Sequence, residues 1–160
     1  MDVEKRTSGP WIGLLRGAVL AALVGALVAP CGRADIEVTG SPSLTISTAE
    51  AGSDPDAAVD ESSTLTWSNL NAATTQKIVA QTSVVAVVYP LRLTALVQVA
   101  DEGDSAGDVL LSTVPEDLVV NIPAFSADAG WAVLRYEATA QASDGAGVEA
   151  HTVTFTVIDQ

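Results

Sequence analysis

The sequence predicts an all-β fold, an antiparallel β-sandwich, that begins after an apolar segment near the N-terminus. Thr, Val, Ala and Ser dominate this part of the chain, and Gly, Pro and Asp interrupt it at short intervals, as in strands joined by turns. Ten short segments of strand character follow one another with short connections, an arrangement typical of two packed antiparallel sheets.

The first element, ahead of the predicted sheets, is a signal helix. The run from Gly17 to Ala29 holds 13 residues without a charge and follows three basic residues. This is the length of a signal-peptide core, whereas a membrane-spanning helix needs about 20 residues. Pro30 ends the run and the small residue Ala34 precedes the predicted cleavage, so we expect residues 1–34 to be a signal peptide.

Two alternatives to cleavage after Ala34 stay open. The basic stretch before the apolar run extends to Arg16, which is long for a signal peptide and would also suit an uncleaved N-terminal anchor. Cys31 would be the lipidated residue of a lipoprotein, although the fixed φ of Pro30 immediately before it fits that motif poorly.

Residues 35–160 are the predicted mature chain, a single domain of 126 residues with enough length for a buried core. Cleavage removes four basic and two acidic residues and leaves 18 acidic residues against three basic ones, a net charge of −15. Such a surface repels nucleic acid and anionic lipid, so we expect neither nucleic-acid binding nor membrane binding after cleavage. It suits a salt-adapted, halophilic-type protein or, equally, plain solubility.

Strand alternation is clearest in the final segment, 151–159, where valine and phenylalanine face one way and threonine the other. The segments 91–100 and 131–140 alternate in the same way. The continuously apolar Val84–Val88 is expected to be a central buried strand, and Gly52–Ser63 a polar, acidic loop. The remaining predicted strands are Ile36–Val38, Leu44–Ser47, Leu65–Trp67, Lys77–Thr82, Val109–Thr113 and Leu118–Ile122.

The C-terminal part of the chain, LRYEATAQASDGAGVEAHTVTFTVID, spans the last two predicted strands and resembles a known family. They are similar to the closing hairpin of bacterial immunoglobulin-like and cadherin-like surface domains, in which a Tyr-bearing strand turns through an Asp-Gly loop into a TVTFTV strand. The similarity covers about 30 of the 160 residues. It implies an immunoglobulin-like β-sandwich of a mostly structural or adhesive class, and we expect a stand-alone fibre, matrix or coat subunit.

The sequence contains few of the residue patterns that indicate an enzyme active site. His151 is the one histidine, no Gly-x-Ser-x-Gly motif accompanies it, and we expect it to be a surface residue at a strand end. A zinc site lacks ligands because the predicted mature chain has no cysteine, and no Gly-rich phosphate loop precedes a helix. We therefore expect a non-enzymatic protein that needs no cofactor, with calcium as the one exception to consider.

The segment DEGDSAGD, residues 101–108, places four acidic residues in eight. If antiparallel strands are counted up and down, this segment lies at the same end of the fold as Asp128 and Asp159, away from Asp144. Calcium takes about six to eight oxygen ligands from such loops. Solvated acidic loop tips are the favoured interpretation, because the spacing differs from that of the helix-flanked calcium loop. The candidate calcium ligands are Asp101, Asp104, Asp108 and Asp128.

Trp67 and Trp131 are the two tryptophans of the predicted mature chain. Trp67 is expected in the core or at a sheet edge. Trp131 alternates out of phase with Leu134 and Tyr136, so it is predicted at a strand edge or on the surface, where its ring could stack on a sugar. The sequence therefore predicts a secreted or cell-surface structural protein that self-associates or binds other surface proteins. The alternative is a small extracellular module for calcium or glycan.

Overall fold

The computed structural model describes residues 35–46, 53–68, 73–124, 129–144 and 147–160. The predicted signal peptide, with Cys31, lies outside these ranges. Within them the chain forms nine strands and no helix, and so no helix that could cross a membrane. The strands are β1 (Asp35–Thr39), β2 (Ala58–Ser68), β3 (Gln76–Thr82), β4 (Leu91–Val97), β5 (Asp104–Ser105), β6 (Asp108–Leu110), β7 (Glu116–Ile122), β8 (Gly130–Ala138) and β9 (Val153–Asp159).

The nine strands form two antiparallel sheets, which confirms the all-β prediction. Sheet A has the order β1-β2-β8-β4-β6, and sheet B has the order β5-β7-β3-β9. From β3 onward each strand belongs to the sheet opposite its predecessor, so every connection after β2 crosses between the sheets. β8 and β9 therefore do not form the closing hairpin expected from the resemblance, since β8 pairs with β2 and β4 while β9 pairs with β3.

The core lies between the two sheets and follows from strand alternation. In β4 and β8 every second side chain is buried, because successive residues of a strand point to opposite faces. Each fully buried leucine contributes about 1.5–3 kcal/mol by leaving water. The core residues of these two strands are Leu91, Leu93, Ala95, Ala132, Leu134, Tyr136 and Ala138, and sheet B contributes Ile78, Ala80, Leu118, Val119 and Ile122.

Trp67, near the end of β2, is the largest fully buried side chain and is 1% exposed. It lies opposite Gly130 in the β2–β8 register, and a Cβ atom at Gly130 would stand 2.2 Å from the indole Cε2 and Nε1 atoms. The indole Nε1–H donates a hydrogen bond to the backbone oxygen of Glu102 at 3.1 Å. Trp67 thus belongs to the core, as predicted, and ties sheet A to the connection between β4 and β5.

Three of the sequence predictions for secondary structure are wrong, those for Val84–Val88, for Ala58–Ser63 and for the described part of Leu44–Ser47. Val84–Val88 forms no strand, and Val85 and Val88 are 88% and 52% exposed. This short segment carries the chain from β3 in sheet B to β4 in sheet A, so it passes across the end of the sheets and pairs with neither. Ala58–Ser63, predicted to be loop, forms the first half of β2, because pairing with β8 satisfies its backbone while one face stays in water.

The predicted strand Leu44–Ser47 is irregular over its described residues, yet it packs against the core through Leu44 and Ile46. Gly40 directs the chain into this segment with a φ of 96°, where a Cβ atom would stand 2.7 Å from the backbone oxygen of Ser62. The Asp60 carboxylate then accepts a hydrogen bond from the backbone N–H of Ser43 at 3.2 Å. The segment is therefore held along β2 without joining a sheet.

We expect Gly130→Ala to destabilise the fold by about 1–3 kcal/mol, because the new methyl group overlaps the Trp67 indole. The free energy of unfolding from denaturant titration measures this loss. Trp67→Leu provides the matched background, since leucine has no atoms at the three indole positions that the methyl group would meet. The loss caused by Gly130→Ala should shrink there, and an equal loss in both backgrounds would contradict the contact.

Candidate functional site

The acidic segment 101–108 is not a single loop. Asp104 begins β5 at the edge of sheet B, and Asp108 begins β6 at the edge of sheet A. Asp104 Oδ2 accepts a hydrogen bond from Asn121 Nδ2 at 2.9 Å, and Asp108 Oδ2 pairs with Arg92 Nη1 at 2.5 Å. The two carboxylates therefore belong to different sheets, and each has a partner of its own.

Asp101 makes the turn that leads into this segment. Its φ of 64° lies in the left-handed region, which Asp tolerates better than most residues, and Gly103 follows with a φ of 120°. Among the described residues no group of three or more Asp, Glu, His or Cys side chains is placed to hold a metal ion. Asp128 lies outside the described residues, so the calcium site predicted from Asp101, Asp104, Asp108 and Asp128 stays a prediction.

Asn121 connects three parts of the chain at this end of the fold. It adopts a φ of 56°, its backbone N–H donates to Gln160 Oε1 at 2.8 Å, and its side-chain amide donates to Asp104. Asp159 precedes Gln160, so Asp104 and Asp159 lie at the same end, as the strand count predicts. Asp144 follows the far end of β8 and caps its own turn through the backbone N–H of Gln141 at 2.7 Å.

His151 is not the surface residue that the sequence predicts, because its side chain is only 12% exposed. Its Nε2 atom lies 3.1 Å from Glu149 Oε1, and its Nδ1 atom lies 3.0 Å from the Thr82 hydroxyl. Glu149 Oε2 also accepts the backbone N–H groups of Val88 and Tyr89. The Glu-x-His spacing could have indicated this pair, since residues two apart in an extended chain share a face.

The arrangement of hydroxyl, imidazole and carboxylate resembles a catalytic triad in outline only. Thr82 is 2% exposed, so a substrate carbonyl has no approach to its hydroxyl. Both Glu149 oxygens face groups of the chain itself, namely the imidazole and the backbone that precedes β4. The cluster fastens the connection after β3 to the segment before β9, which is a structural task.

Asp60 and Tyr136 are paired across β2 and β8, and both have shifted pKa values. Hydrogen bonds from the Ser62 hydroxyl, the Ser62 N–H and the Ser43 N–H lower the pKa of Asp60. Burial, with a smaller effect from the Asp60 charge, raises the pKa of Tyr136 to about 12. Asp60 lies in a segment that the sequence predicts to be a loop, so the sequence does not place it beside Tyr136. The β2–β8 register brings the Asp60 carboxylate and the Tyr136 phenol together.

The outer face of sheet A carries an exposed apolar patch around Trp131. Leu96 and Val133 are directly opposite each other on β4 and β8, and Trp131 lies two residues before Val133 on the same face. Trp131 is 40% exposed, which fits the prediction from its phase in the strand. Thr66 lies opposite Trp131 on β2, so threonine borders the patch on that side.

The four sheet edges differ in length and charge. β5 and β6 have two and three residues, and each begins with an aspartate. β1 has five residues with acids at Asp35 and Glu37. β9 has seven residues, and its one ionisable side chain is Asp159 at its last position. Short length and charge are the usual protection against strand addition, and only β9 among these four edges lacks both.

The basic residues within the described ranges all form ion pairs with acids of the chain. Lys77 on β3 lies 2.8 Å from Asp117 on β7, and Arg92 pairs with Asp108. Arg135 lies 3.3 Å from Glu137 and 3.7 Å from Glu61. Such half-exposed pairs contribute at most about 1 kcal/mol each. Their larger consequence is that the remaining acids set the sign of the surface potential.

Comparison with models of known protein families, with curated proteins and with solved structures finds no match for this chain.

We expect the fold to lose stability as pH rises from about 10 towards 12. The pKa of Tyr136 is about 12 in the folded chain against 10.0 for the unperturbed group. Between pH 10 and pH 12 the phenol of the unfolded chain loses its proton before the phenol of the folded chain does. The free energy of unfolding that Tyr136 contributes below pH 10 is therefore lost as the pH rises to 12, by at most about 3 kcal/mol.

Thermal melts at stepped alkaline pH measure this loss. Tyr136→Phe keeps the ring and should flatten the decline, whereas Tyr89→Phe, the matched change at the other tyrosine, should leave it steep. A decline that is equally steep in Tyr136→Phe would show that another group controls alkaline unfolding.

Proposed function

We propose that the protein is a non-enzymatic structural or interaction protein, exported to the cell surface or extracellular matrix, which acts by associating with further chains there. The observation that carries this proposal is the edge of β9. This strand offers six residues without a charge before Asp159, at the rim of a sheet, where an extended segment can add by backbone hydrogen bonding.

The fold class and the polar residues support this role. Two antiparallel sheets around one core suit an immunoglobulin-like sandwich, a scaffold that cell-surface proteins use for adhesion and assembly. The chain's one imidazole is committed to Glu149 and Thr82 inside the fold. Asp104 and Asp108 are committed to Asn121 and Arg92. His151, Asp104 and Asp108 therefore serve the scaffold.

Electron microscopy of the native protein from the cell exterior tests the proposal. We expect fibres, sheets or discrete oligomers that form without any added ligand. Intact-mass measurement of the same material reports the predicted cleavage before Asp35, a lipidated Cys31 or a retained N-terminal anchor. Protein that is found only inside the cell, or only as single particles that bind no surface component, would contradict it.

The second candidate function is an extracellular ligand-binding module, and the Trp131 patch favours a glycan as its ligand. An indole that is 40% exposed on the outer face of sheet A, beside Leu96 and Val133, offers a surface on which a sugar face can stack.

A ligand-binding module predicts a melting temperature that rises when its ligand is added. A rise with oligosaccharides that disappears in Trp131→Ala, but persists in the matched Trp67→Phe variant, would establish the glycan site. A rise with calcium at high sodium chloride that disappears in the Asp104→Asn, Asp108→Asn double variant would establish the calcium site. Without either response, assembly remains the function that these surfaces support.

A further inference from the structure

The ladder between β3 and β9 determines which backbone groups of β9 are free. The Ser83 N–H donates to the Thr152 oxygen at 3.0 Å, and the Gln160 N–H donates to the Thr75 oxygen at 2.9 Å, one bond beyond each end of the paired strands. The register between them has no shift, so the even-numbered residues of β9 exchange hydrogen bonds with β3.

The odd-numbered residues of β9 consequently turn their N–H and C=O groups away from the sheet. These residues are Val153, Phe155, Val157 and Asp159. No backbone hydrogen bond reaches them from elsewhere in the described part of the chain. Their side chains, apart from Asp159, pack partly against the core, so the strand is held in an extended, ordered form. β9 is thus a preorganised edge with a row of unused donors and acceptors.

We propose that a second copy of this chain pairs with the first, β9 against β9 in antiparallel orientation, and joins the two B sheets into one continuous sheet. The inference rests on the proposed function and names the partner that the β9 edge takes. The order across the joint sheet is β5-β7-β3-β9 followed by the same strands of the second copy in reverse.

Charge favours a second copy at this edge over the other three sheet edges, which carry acids. The chain carries a formal net charge of −13, and its described basic residues are already paired with its own acids. Two copies therefore repel each other over most approaches. From Thr152 to Ile158 there is no ionisable side chain, so approach along β9 brings two uncharged strands together.

The strand is also complementary to itself. Threonine and apolar side chains alternate with a period of two, so an antiparallel copy places threonine opposite threonine and apolar residues opposite apolar residues. The cores of both copies then lie on the same side of the joint sheet. A twofold axis makes this contact isologous, which closes the pair as a dimer.

One register places Asp159 opposite neither a carboxylate nor an apolar side chain of the second copy. With the axis at Phe155, Val153 pairs with Val157 of the second copy, and Asp159 lies opposite its His151. With the axis at Thr154, Asp159 would meet Glu149 of the second copy, which opposes two carboxylates. With the axis at Thr156, Asp159 would meet Val153 and lose water without gaining a partner. The structure therefore favours the register centred on Phe155.

Sedimentation equilibrium of the purified protein tests the pairing. We expect a reversible dimer that strengthens with sodium chloride between about 0.01 M and 1 M, because screening shortens the reach of repulsion from about 30 Å to about 3 Å. Val157→Pro removes a donor from the free edge only and should give a monomer that keeps its fold. Val157→Ala, which trims the side chain but keeps the N–H group, is the matched control and should still dimerise.

A proline at the neighbouring position separates lost pairing from lost folding. Thr156→Pro removes a donor to β3, so it should lower the melting temperature, whereas Val157→Pro should lower it much less. If Val157→Pro associates as strongly as the unaltered protein, the edge is not the contact, although association itself stands. If the unaltered protein is monomeric at every concentration and salt level, the pairing is wrong, and the micrographs decide the proposed function independently.

Cysteine pairs test the register. In a Cys31→Ser background, Thr154→Cys with Thr156→Cys places thiols directly opposite each other across the twofold axis, at a non-hydrogen-bonded pair where the Cβ atoms come closest. Mild oxidation should then give a covalent dimer. The matched control, Thr64→Cys with Thr66→Cys on the interior strand β2, should stay monomeric on a non-reducing gel. Thr154→Cys alone and Thr156→Cys alone should also stay monomeric, because in the register centred on Phe155 each thiol then lies opposite a threonine. A covalent dimer of either single variant would overturn this register, and equal cross-linking of the β2 pair would show that the cross-linking is not specific to the β9 edge.

Discussion

The burial of the Trp67 indole is the contact on which the rest of the structure depends. The ring occupies the space above Gly130, a position that any side chain would fill, and its Nε1–H reaches the backbone of Glu102. One side chain therefore links β2, β8 and the connection that leaves β4. Because the backbone oxygen of Glu102 accepts this hydrogen bond and Glu102 is only 8% exposed, the acidic segment starts from a fixed point. The segment then runs along the sheet edges and does not project as a free loop.

Local alternation predicted the strands well but could not predict their neighbours. The period-two pattern identifies which face of β4, β8 and β9 is buried, and that pattern holds in the structure. The pattern does not predict which strands are neighbours in a sheet, because any alternating strand can pair with any other. The chain crosses between sheets at every connection after β2, so a hairpin between β8 and β9 was a natural but wrong expectation. Val84–Val88 is apolar but does not alternate, and it forms the connection between β3 of sheet B and β4 of sheet A instead of a strand.

For the candidate sites too, the sequence predicts some positions of residues, whereas other contacts depend on how the strands pair. Counting strands up and down puts Asp104 and Asp159 at the same end, where Asn121 and Gln160 connect their elements. Counting does not show that Asp104 and Asp108 lie on different sheets, because β5 and β6 are too short to be recognised from composition. His151 and Glu149 meet through their spacing in the segment before β9, whereas the contact with Thr82 depends on the β3–β9 register.

An acidic protein that assembles must reconcile repulsion between copies with a specific contact. Carboxylates spread over the surface oppose every approach of another copy, and this opposition weakens only as salt shortens its range. Backbone hydrogen bonds at a strand edge need no charge, and they are directional enough to fix orientation. The acids at β1, β5 and β6 then have a second role, because they keep three edges from pairing while β9 stays open. The uneven distribution of charge over the four edges therefore favours the proposed pairing at β9 over pairing at the other three edges.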